Sequence, residues 1–210
     1  MAGYISFYKL DEWFSNTFSS DEQKYMIHTF QPFSSNDTEN CLTSGTHHSD
    51  NSCSAFLVTL LGWFYNKNNI ELCKKIATKA EESFSSQENS FIETHFYYQG
   101  LIQFYYKIRD TEGILEKVIC LCNEAISIAP KVATEMKKDF PKLPRHIAYE
   151  QLAIILKKKK DWKAVIDICK KAKKEKWNGD WDKRINEAEL KIKNDLLCVR
   201  DCRDCESVWQ

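Results

Sequence analysis

The sequence has little of what strands and tight turns require. Only 6 of its 210 residues are glycine and 4 are proline, and strand-like alternation of apolar and polar residues is scarce. Apolar residues recur instead at spacings of three and four, which is the period of an α-helix. The sequence therefore predicts an almost entirely α-helical protein.

Long apolar runs are also missing. No stretch of about twenty apolar residues occurs, so no transmembrane helix and no membrane partner are expected. The opening residues, "MAGYISFYKLDEWF", carry Asp11 and Glu12 and lack the layout of a secretory signal. Several of the nine cysteines fall within helical patterns, as small apolar residues do. These features favour a reducing cytoplasm over a disulfide framework.

Motifs that carry catalysis are lacking as well. There is no glycine-rich phosphate loop, no G-x-S-x-G and no H-E-x-x-H, and the five histidines are scattered. We therefore predict a protein without catalysis of its own and without a cofactor.

The chain has no net formal charge, but the charge is unevenly distributed. Residues 131–177 hold 15 Lys/Arg against 6 Asp/Glu, whereas the first fifty residues hold 2 against 7. The overall balance argues against simple attraction to nucleic acid or membrane. The basic region leaves open a partner with an acidic surface.

The N-terminal quarter divides into two parts. Residues 1–33 are expected to form short helices, one of them capped by Ser20 with Gln23 in a capping box and ended by Pro32. Residues 34–54 are rich in Ser, Asn, Asp and Thr, and we expect a polar mobile loop.

Three helix pairs are expected in residues 55–179. They begin at "AFLVTLLGWFYNK", "FIETHFYYQGLIQFYYKI" and "AYEQLAIILKKKKDWKAVIDICKKA". Pro130 is expected to end the second pair. Residues 180–210 are expected to form a capping helix and a cysteine-containing tail, with Gly179 closing the preceding helix and Asp180 capping the last one.

Small residues recur at matching places in these pairs. Glycine or alanine at a helix crossing lets two helices approach closely, and a single pair cannot bury its apolar face alone. The positions are Gly62, Ala77, Ala80, Gly100, Ala125, Ala153 and Ala172.

This spacing resembles the tetratricopeptide repeat, in a degenerate form, over residues 56–177. The resemblance implies an all-α, TPR-like α-solenoid of helical hairpins, with N-terminal helices and a C-terminal capping helix. It also implies a protein- or peptide-binding adaptor in which the first helix of each pair lines a concave face. On that face we expect the partner-binding residues Trp63, Asn66, Tyr97, Phe104, Glu150 and Lys157.

Other functions are left open by the sequence. The basic region 131–177, with "LKKKKDW" at its centre, would suit a nucleic acid, although lysines at a helix C-terminus are also favourable there. Short solenoids often hide an apolar end in a homodimer. The lysine- and asparagine-rich composition is compatible with a low-GC bacterium or its phage.

Two metal sites are weaker alternatives. The tail has a C-x₃-C-x₂-C spacing, which resembles the iron–sulfur motif of radical enzymes that use S-adenosylmethionine, although no strands precede it and a frayed helix end explains it more simply. The polar loop holds cysteines and histidines that suit zinc, at spacings unlike those of zinc fingers. The residues are Cys198, Cys202 and Cys205 in the tail and Cys41, His47, His48 and Cys53 in the loop.

Overall fold

The computed structural model describes residues 3–32, 40–46, 48–66, 68–86 and 89–206, with side chains described as far as residue 195. Within these ranges the chain is all-helical and contains no β-strand; one isolated bridge joins Arg145 and Asn178. The helices are α1 (Gly3–Phe7), α2 (Asp11–Thr17), α3 (Ser20–Thr29), α4 (Cys53–Phe64), α5 (Ile70–Ser85), α6 (Phe91–Lys107), α7 (Ile114–Met136), α8 (Ile147–Lys158), α9 (Trp162–Lys174) and α10 (Trp181–Glu206).

The chain forms two compact units, residues 1–108 and residues 109–210. In unit 1, α4 packs against both α5 and α6. In unit 2, α7 packs on α8, α8 on α9, and α9 on α10. The expected second helix pair, α6 and α7, is thus divided between the units.

Helices α8 and α9 illustrate how the helical period produces a core. On α9, Val165, Cys169 and Ala172 follow one another at four and three residues and are all buried. Five of the ten remaining positions of α9 are exposed lysines. Burial of each large apolar side chain stabilises the folded state by about 1.5–3 kcal/mol. This stabilisation determines which face of such a helix packs against its neighbours.

A single carboxylate ties together the starts of α4 and α6. Glu93 accepts hydrogen bonds from the backbone N–H groups of Ser90, at 3.2 Å, and Ser52, at 2.7 Å. Burial alone would raise the pKa of Glu93, but these N–H donors bring it below its usual value. Because both helices begin at the same carboxylate, α4 and α6 run side by side in the same direction.

The N-terminal cap of α3 lies one residue before the expected one. Ser19, not Ser20, accepts a hydrogen bond from the N–H of Glu22, and Glu22 completes the capping box. Glu22 also pairs with Lys75 of α5 at 2.8 Å. Ser19 and Glu22 form a pair that overlaps the expected one, and the contact of Glu22 with α5 favours it.

Part of the polar segment expected to be a mobile loop packs against α1. The N–H groups of Gly3, Tyr4 and Ile5 donate to carbonyls of residues 41–45, and Leu42 is completely buried. Asn40 holds the turn, since its Oδ1 accepts from the N–H groups two and three residues later. The segment therefore caps a helix, which its composition does not indicate. Residues 33–39 and 47 lie outside the described residues.

Pro130 does not end its helix as expected. It lies on the exposed side of α7, which continues to Met136. Beyond the proline the buried face goes on through Val132, Ala133 and Met136. Packing of these three side chains outweighs the single backbone hydrogen bond that proline removes.

Lysines, rather than glycines, close three of the helices. Lys9, Lys160 and Lys176 have φ values of 57°, 59° and 71°, in the left-handed region. After Lys160, the N–H of Asp161 donates to the carbonyl of Leu156 at 3.0 Å, as in a Schellman motif. Gly179, expected to close α9, instead lies against the ring of Trp181, where a Cβ atom would come within 2.5 Å.

We predict that Lys160→Gly stabilises the protein by about 1 kcal/mol, because an L-residue is strained in the left-handed region and glycine is not. Lys160 is exposed, so little packing is lost. Urea unfolding measures the change. Lys159→Gly is the matched control: Lys159 has an ordinary φ of −76°, and its replacement should be neutral or destabilising. Equal effects of the two changes would contradict the assignment.

The small residues expected at helix crossings have two different outcomes. The five alanines are buried, as required, and a Cβ atom on Gly100 would overlap Val58 Cγ1 of α4. Gly62, by contrast, is exposed and has open space where its Cβ would be. The close crossing is therefore between α4 and α6, and Gly62 takes no part in it.

We predict that Gly100→Ala destabilises the protein by about 1–2 kcal/mol, even though alanine is the better helix former, because the added methyl group overpacks the crossing. In a Val58→Ala background the same change should stabilise by about 1 kcal/mol. Thermal unfolding of the four proteins of this cycle tests the contact. The same effect of Gly100→Ala in both backgrounds would show that Val58 does not limit the approach.

Among the described residues, no helix has both the length and the apolar character that crossing a bilayer requires.

Candidate partner-binding groove

Unit 2 carries an open groove where α8, α9 and α10 meet, enclosing about 400 Å³. Its floor consists of small side chains, one from each helix: Ala153 of α8, Val165 of α9 and Ala188 of α10, all buried. Larger side chains at these positions would fill the space. Because they are small, three helices pack together and still leave a depression on the surface.

Two larger apolar side chains flank this floor. Trp162, the first residue of α9, is half-buried, and Leu190 of α10 is 60 % exposed. Leu190 lies off the buried stripe that Trp181, Ile185 and Ala188 form on α10. An exposed leucine beside a tryptophan in a groove is typical of a surface that another molecule covers.

An ion pair crosses the groove. Lys157 Nζ of α8 lies 2.7 Å from Glu187 Oε2 of α10. Hydrogen bonding and the charge of Lys157 hold the pKa of Glu187 below its usual value. Both side chains are about half-exposed, so the pair adds little stability. Its effect on the groove is that Glu187, the acidic group of the lining, is already neutralised.

Arg184 brings a second positive charge to the lining. It lies on α10 one turn before Ala188, and its Nε atom is buried without a hydrogen-bond acceptor among the described residues. A buried donor that lacks an acceptor costs free energy. Arg184 is therefore a lining residue whose hydrogen-bonding capacity is not fully used within the described part of the chain.

The surroundings of the groove are strongly basic. Unit 2 holds 23 Lys/Arg against 18 Asp/Glu, while unit 1 holds 7 against 12. Several exposed lysines on α9 and the turn before it have no ion pair within the described part of the chain, namely Lys159, Lys160, Lys163, Lys170, Lys171 and Lys174. This excess of positive charge favours a negatively charged ligand.

Unit 1 has a groove of a different character, between α4 and α6. It encloses about 380 Å³ and is lined by residues that include Val58, Thr59 and Gly100. Phe96 is 49 % exposed at its side, and Glu93 is its charged residue. This groove offers apolar contact but little electrostatic selectivity.

The expected site residues of unit 1 are split between surface and core. Trp63 is 41 % exposed and packs edge-to-face on Phe30. Asn66 is exposed and lies within 3.4 Å of the Tyr25 hydroxyl. Tyr97 lines the α4–α6 groove but is only 5 % exposed, and Phe104 is 3 % exposed.

The burial of Tyr97 and Phe104 has identifiable causes. Tyr97 stacks on Phe84 of α5 with ring centroids 3.9 Å apart, and Phe104 packs edge-on against Tyr65 at 6.0 Å. Both rings are therefore largely covered by neighbouring aromatic side chains, and their contact with a partner stays a prediction. The exposed aromatic of α6 is Phe96, one residue before Tyr97.

The two expected residues of unit 2 lie on the same helix but act differently. Lys157 lines the groove, whereas Glu150 lies outside it and pairs with Arg145 at 3.0 Å. The sequence thus indicated one groove residue of α8. It did not indicate Arg184, Trp162 or Leu190. Of these three, only Leu190 could have been found from the sequence, because it is an apolar residue that lies off the stripe of α10.

The buried cysteines serve as packing residues. Burial raises the pKa of the Cys73 and Cys169 thiols to about 11 and that of Cys122 to about 12. Thiols with such pKa values are not nucleophiles at neutral pH. Cys120, which also falls within a helical pattern of the sequence, is exposed.

The metal alternatives gain no support from the described residues. Among these there is no group of three or more side chains of the kind that ligates metal. In the loop, the Cys41 thiol donates to the carbonyl of Phe30 and Cys53 contacts Ser83; His47 lies outside the described residues. Cys198, Cys202 and Cys205 fall in the helical backbone of α10, and their side chains are also outside the described ones.

We compared the chain with known proteins at three levels. No family model, no curated protein and no solved structure matches it.

Proposed function

We propose that this chain is a non-catalytic, TPR-like helical protein that binds a segment of another protein in the groove between α8, α9 and α10. The observation that carries the proposal is the groove itself, with its floor of small apolar side chains and its rim of charged ones. Protein segments are bound in this way when apolar side chains enter a groove and charges at its edge fix their orientation.

The exposure of Leu190 supports a protein partner in particular. Leu190 is 60 % exposed and lines the groove together with an accessible tryptophan, and apolar surface that faces water is unfavourable. Both would be covered by the apolar face of a bound segment, and burial of apolar area supplies most of the driving force of such association. The six cysteines whose side chains the structure describes are all free thiols, which suits the cytoplasmic location that belongs to this proposal.

A nucleic-acid partner is the second candidate, and the exposed lysines of α9 favour it. The two candidates differ in their response to salt. Neutralising several phosphates makes affinity fall by orders of magnitude between about 50 and 200 mM salt. A protein segment held largely by apolar contacts in the groove should lose only a small part of its affinity over that range.

Affinity capture with point variants tests the proposal. Leu190→Asp places a charge in the groove at an exposed position, so folding should be unaffected. Phe140→Asp is the matched control, because Phe140 is 55 % exposed on unit 2 and does not line the groove. We expect a protein that is captured by the wild-type chain and by Phe140→Asp and is lost with Leu190→Asp. Circular dichroism of both variants checks the fold.

Three outcomes would contradict the proposal: a partner retained by Leu190→Asp, nucleic acid as the captured species, or the chain itself as the only protein captured. The last outcome would instead indicate the homodimer.

A further inference from the structure

Resting on the proposed function, we propose that the bound segment is an amphipathic helix with an acidic side chain, and that Arg184 binds the carboxylate of that side chain. Three features of the groove lead to this proposal: the state of Arg184, the balance of charge around the floor, and the kind of backbone that helices can receive.

Arg184 is oriented for a ligand by the spacing of α10. Arg184, Ala188 and Lys191 are separated by four and three residues, so they follow one face of the helix, and all three line the groove. The guanidinium group carries five N–H donors in a fixed planar arrangement that matches a carboxylate. Its Nε is buried and has no acceptor among the described residues. Because Nε is itself covered, a carboxylate in the groove would pair with the positive charge of the guanidinium group rather than with Nε.

The charge balance of the lining points to the same ligand. Lys157, Arg184 and Lys191 face one acidic residue, Glu187, which is already paired with Lys157 at 2.7 Å. Arg184 and Lys191 therefore leave an excess of positive charge beside an apolar floor. A neutral apolar segment would bury these charges without a counter-ion, which is unfavourable. A segment with acidic residues beside its apolar ones matches both the positive charge and the apolar floor of the groove.

The groove receives a helix better than an extended chain. Its walls are three α-helices, whose backbone N–H and C=O groups are bonded within each helix, so no sheet edge is offered for strand addition. A helix presents side chains at three- and four-residue spacings and needs no backbone partner. The apolar floor likewise favours a protein segment over a phosphate backbone, which would place its charges on Ala153, Val165 and Ala188.

Synthetic helical peptides test the inference. Three peptides of about 18 residues carry the same leucines at three- and four-residue spacings and differ only at the polar positions beside them, which are Glu, Gln or Lys. All are acetylated and amidated, and a fourth, Gln-containing peptide has a free C-terminal carboxylate. Fluorescence anisotropy gives the affinities for the full chain and its variants.

We expect the Glu peptide to bind at least about tenfold more tightly than the Gln peptide and the Lys peptide to bind most weakly. Arg184→Gln should abolish the preference for Glu, because it weakens the Glu peptide by removing its cation and relieves the Gln peptide of a buried, unpaired charge. Arg184→Lys, which keeps the charge but not the planar donors, should retain part of it. Lys183→Gln is the matched control, because it removes the same charge from the neighbouring residue, which does not line the groove, and it should leave the preference intact.

Several results would overturn the inference. Equal binding of the Glu and Gln peptides, or a preference that survives Arg184→Gln, would remove the role of Arg184 while the groove proposal stands. If the Gln peptide with a free C-terminal carboxylate bound as tightly as the Glu peptide, the anion that Arg184 binds would be a chain terminus and not an acidic side chain. Failure of every peptide to bind, or displacement of bound peptide by an oligonucleotide of about 20 nucleotides irrespective of Arg184, would also reject it. The proposed function would fail separately, through capture of partners by Leu190→Asp.

Discussion

Replacement of Glu175 by alanine is expected to lower the free energy of unfolding by about 4 kcal/mol. Glu175 follows α9 and accepts two hydrogen bonds from large buried side chains: the Tyr149 hydroxyl at 2.8 Å and Trp177 Nε1 at 3.1 Å. Tyr149 is completely buried and Trp177 is 2 % exposed. Burial, together with the neighbouring carboxylate, raises the pKa of Tyr149, which therefore stays a donor. Without Glu175 both donors lose this acceptor.

Chemical denaturation of unit 2 variants measures the effect. Glu175→Gln keeps an acceptor oxygen and should cost only about 1 kcal/mol. Glu189→Ala, an exposed glutamate of α10, should change little. A loss from Glu175→Ala no larger than that from Glu189→Ala would show that water replaces the carboxylate, so that these bonds do not hold α8 and the start of α10 in place.

Acidification is expected to destabilise the chain through His95 of α6. This histidine is 2 % exposed, and burial lowers its pKa from 6.5 to about 4. The folded state therefore binds the proton more weakly than the unfolded state. Its contribution to stability is complete above about pH 6.5 and is lost as the pH falls toward 4. The full loss is about 3 kcal/mol, since one pKa unit corresponds to about 1.4 kcal/mol.

A comparison with His95→Gln isolates this effect from the carboxylates. Glu22 and Glu93 have lowered pKa values, so they also lose stabilisation at low pH, but they do so in both proteins. The difference in unfolding free energy between wild type and His95→Gln should change by about 3 kcal/mol between pH 7 and pH 4. A difference that is independent of pH would mean that His95 binds a proton as readily in the folded state as in the unfolded state.

The helices that the sequence predicted well are those whose polar positions leave one apolar stripe. In α9, lysines occupy the outward positions and Val165, Cys169 and Ala172 remain for the core. In α6 the sequence is aromatic nearly all round, so several registers bury similar area. The structure buries Tyr97 and exposes Phe96, whereas the resemblance to a tetratricopeptide repeat implied a partner-facing Tyr97. Packing on Phe84 of the preceding helix α5 decides between them.

The ends of the helices followed local sequence rules less closely than the helices themselves did. Proline and glycine were expected to mark the ends, but α7 continues through Pro130 and lysines in the left-handed conformation close α1, α8 and α9. A lysine tolerates the strained conformation when the following N–H reaches the carbonyl five residues earlier.

The groove could be predicted only in part. Lys157 was expected on a binding surface, and it lines the groove. Arg184 and Trp162 were not, because small side chains from three helices must meet before a depression forms, and no periodicity within one helix indicates that meeting. The basic character of residues 131–177 was the clue that the sequence held: most of the lysines that give unit 2 its positive charge lie there.

The most direct test of the groove is the NMR signal of its tryptophan. The chain has six tryptophans, and Trp162 lines the groove while Trp177 and Trp181 are buried. In a ¹⁵N-labelled protein titrated with the segment of a captured partner, the indole N–H resonance of Trp162, assigned with Trp162→Phe, should shift in proportion to saturation. The resonance of Trp63, exposed on unit 1, should stay in place. A shift of Trp63 with Trp162 unmoved would contradict binding in the groove between α8, α9 and α10.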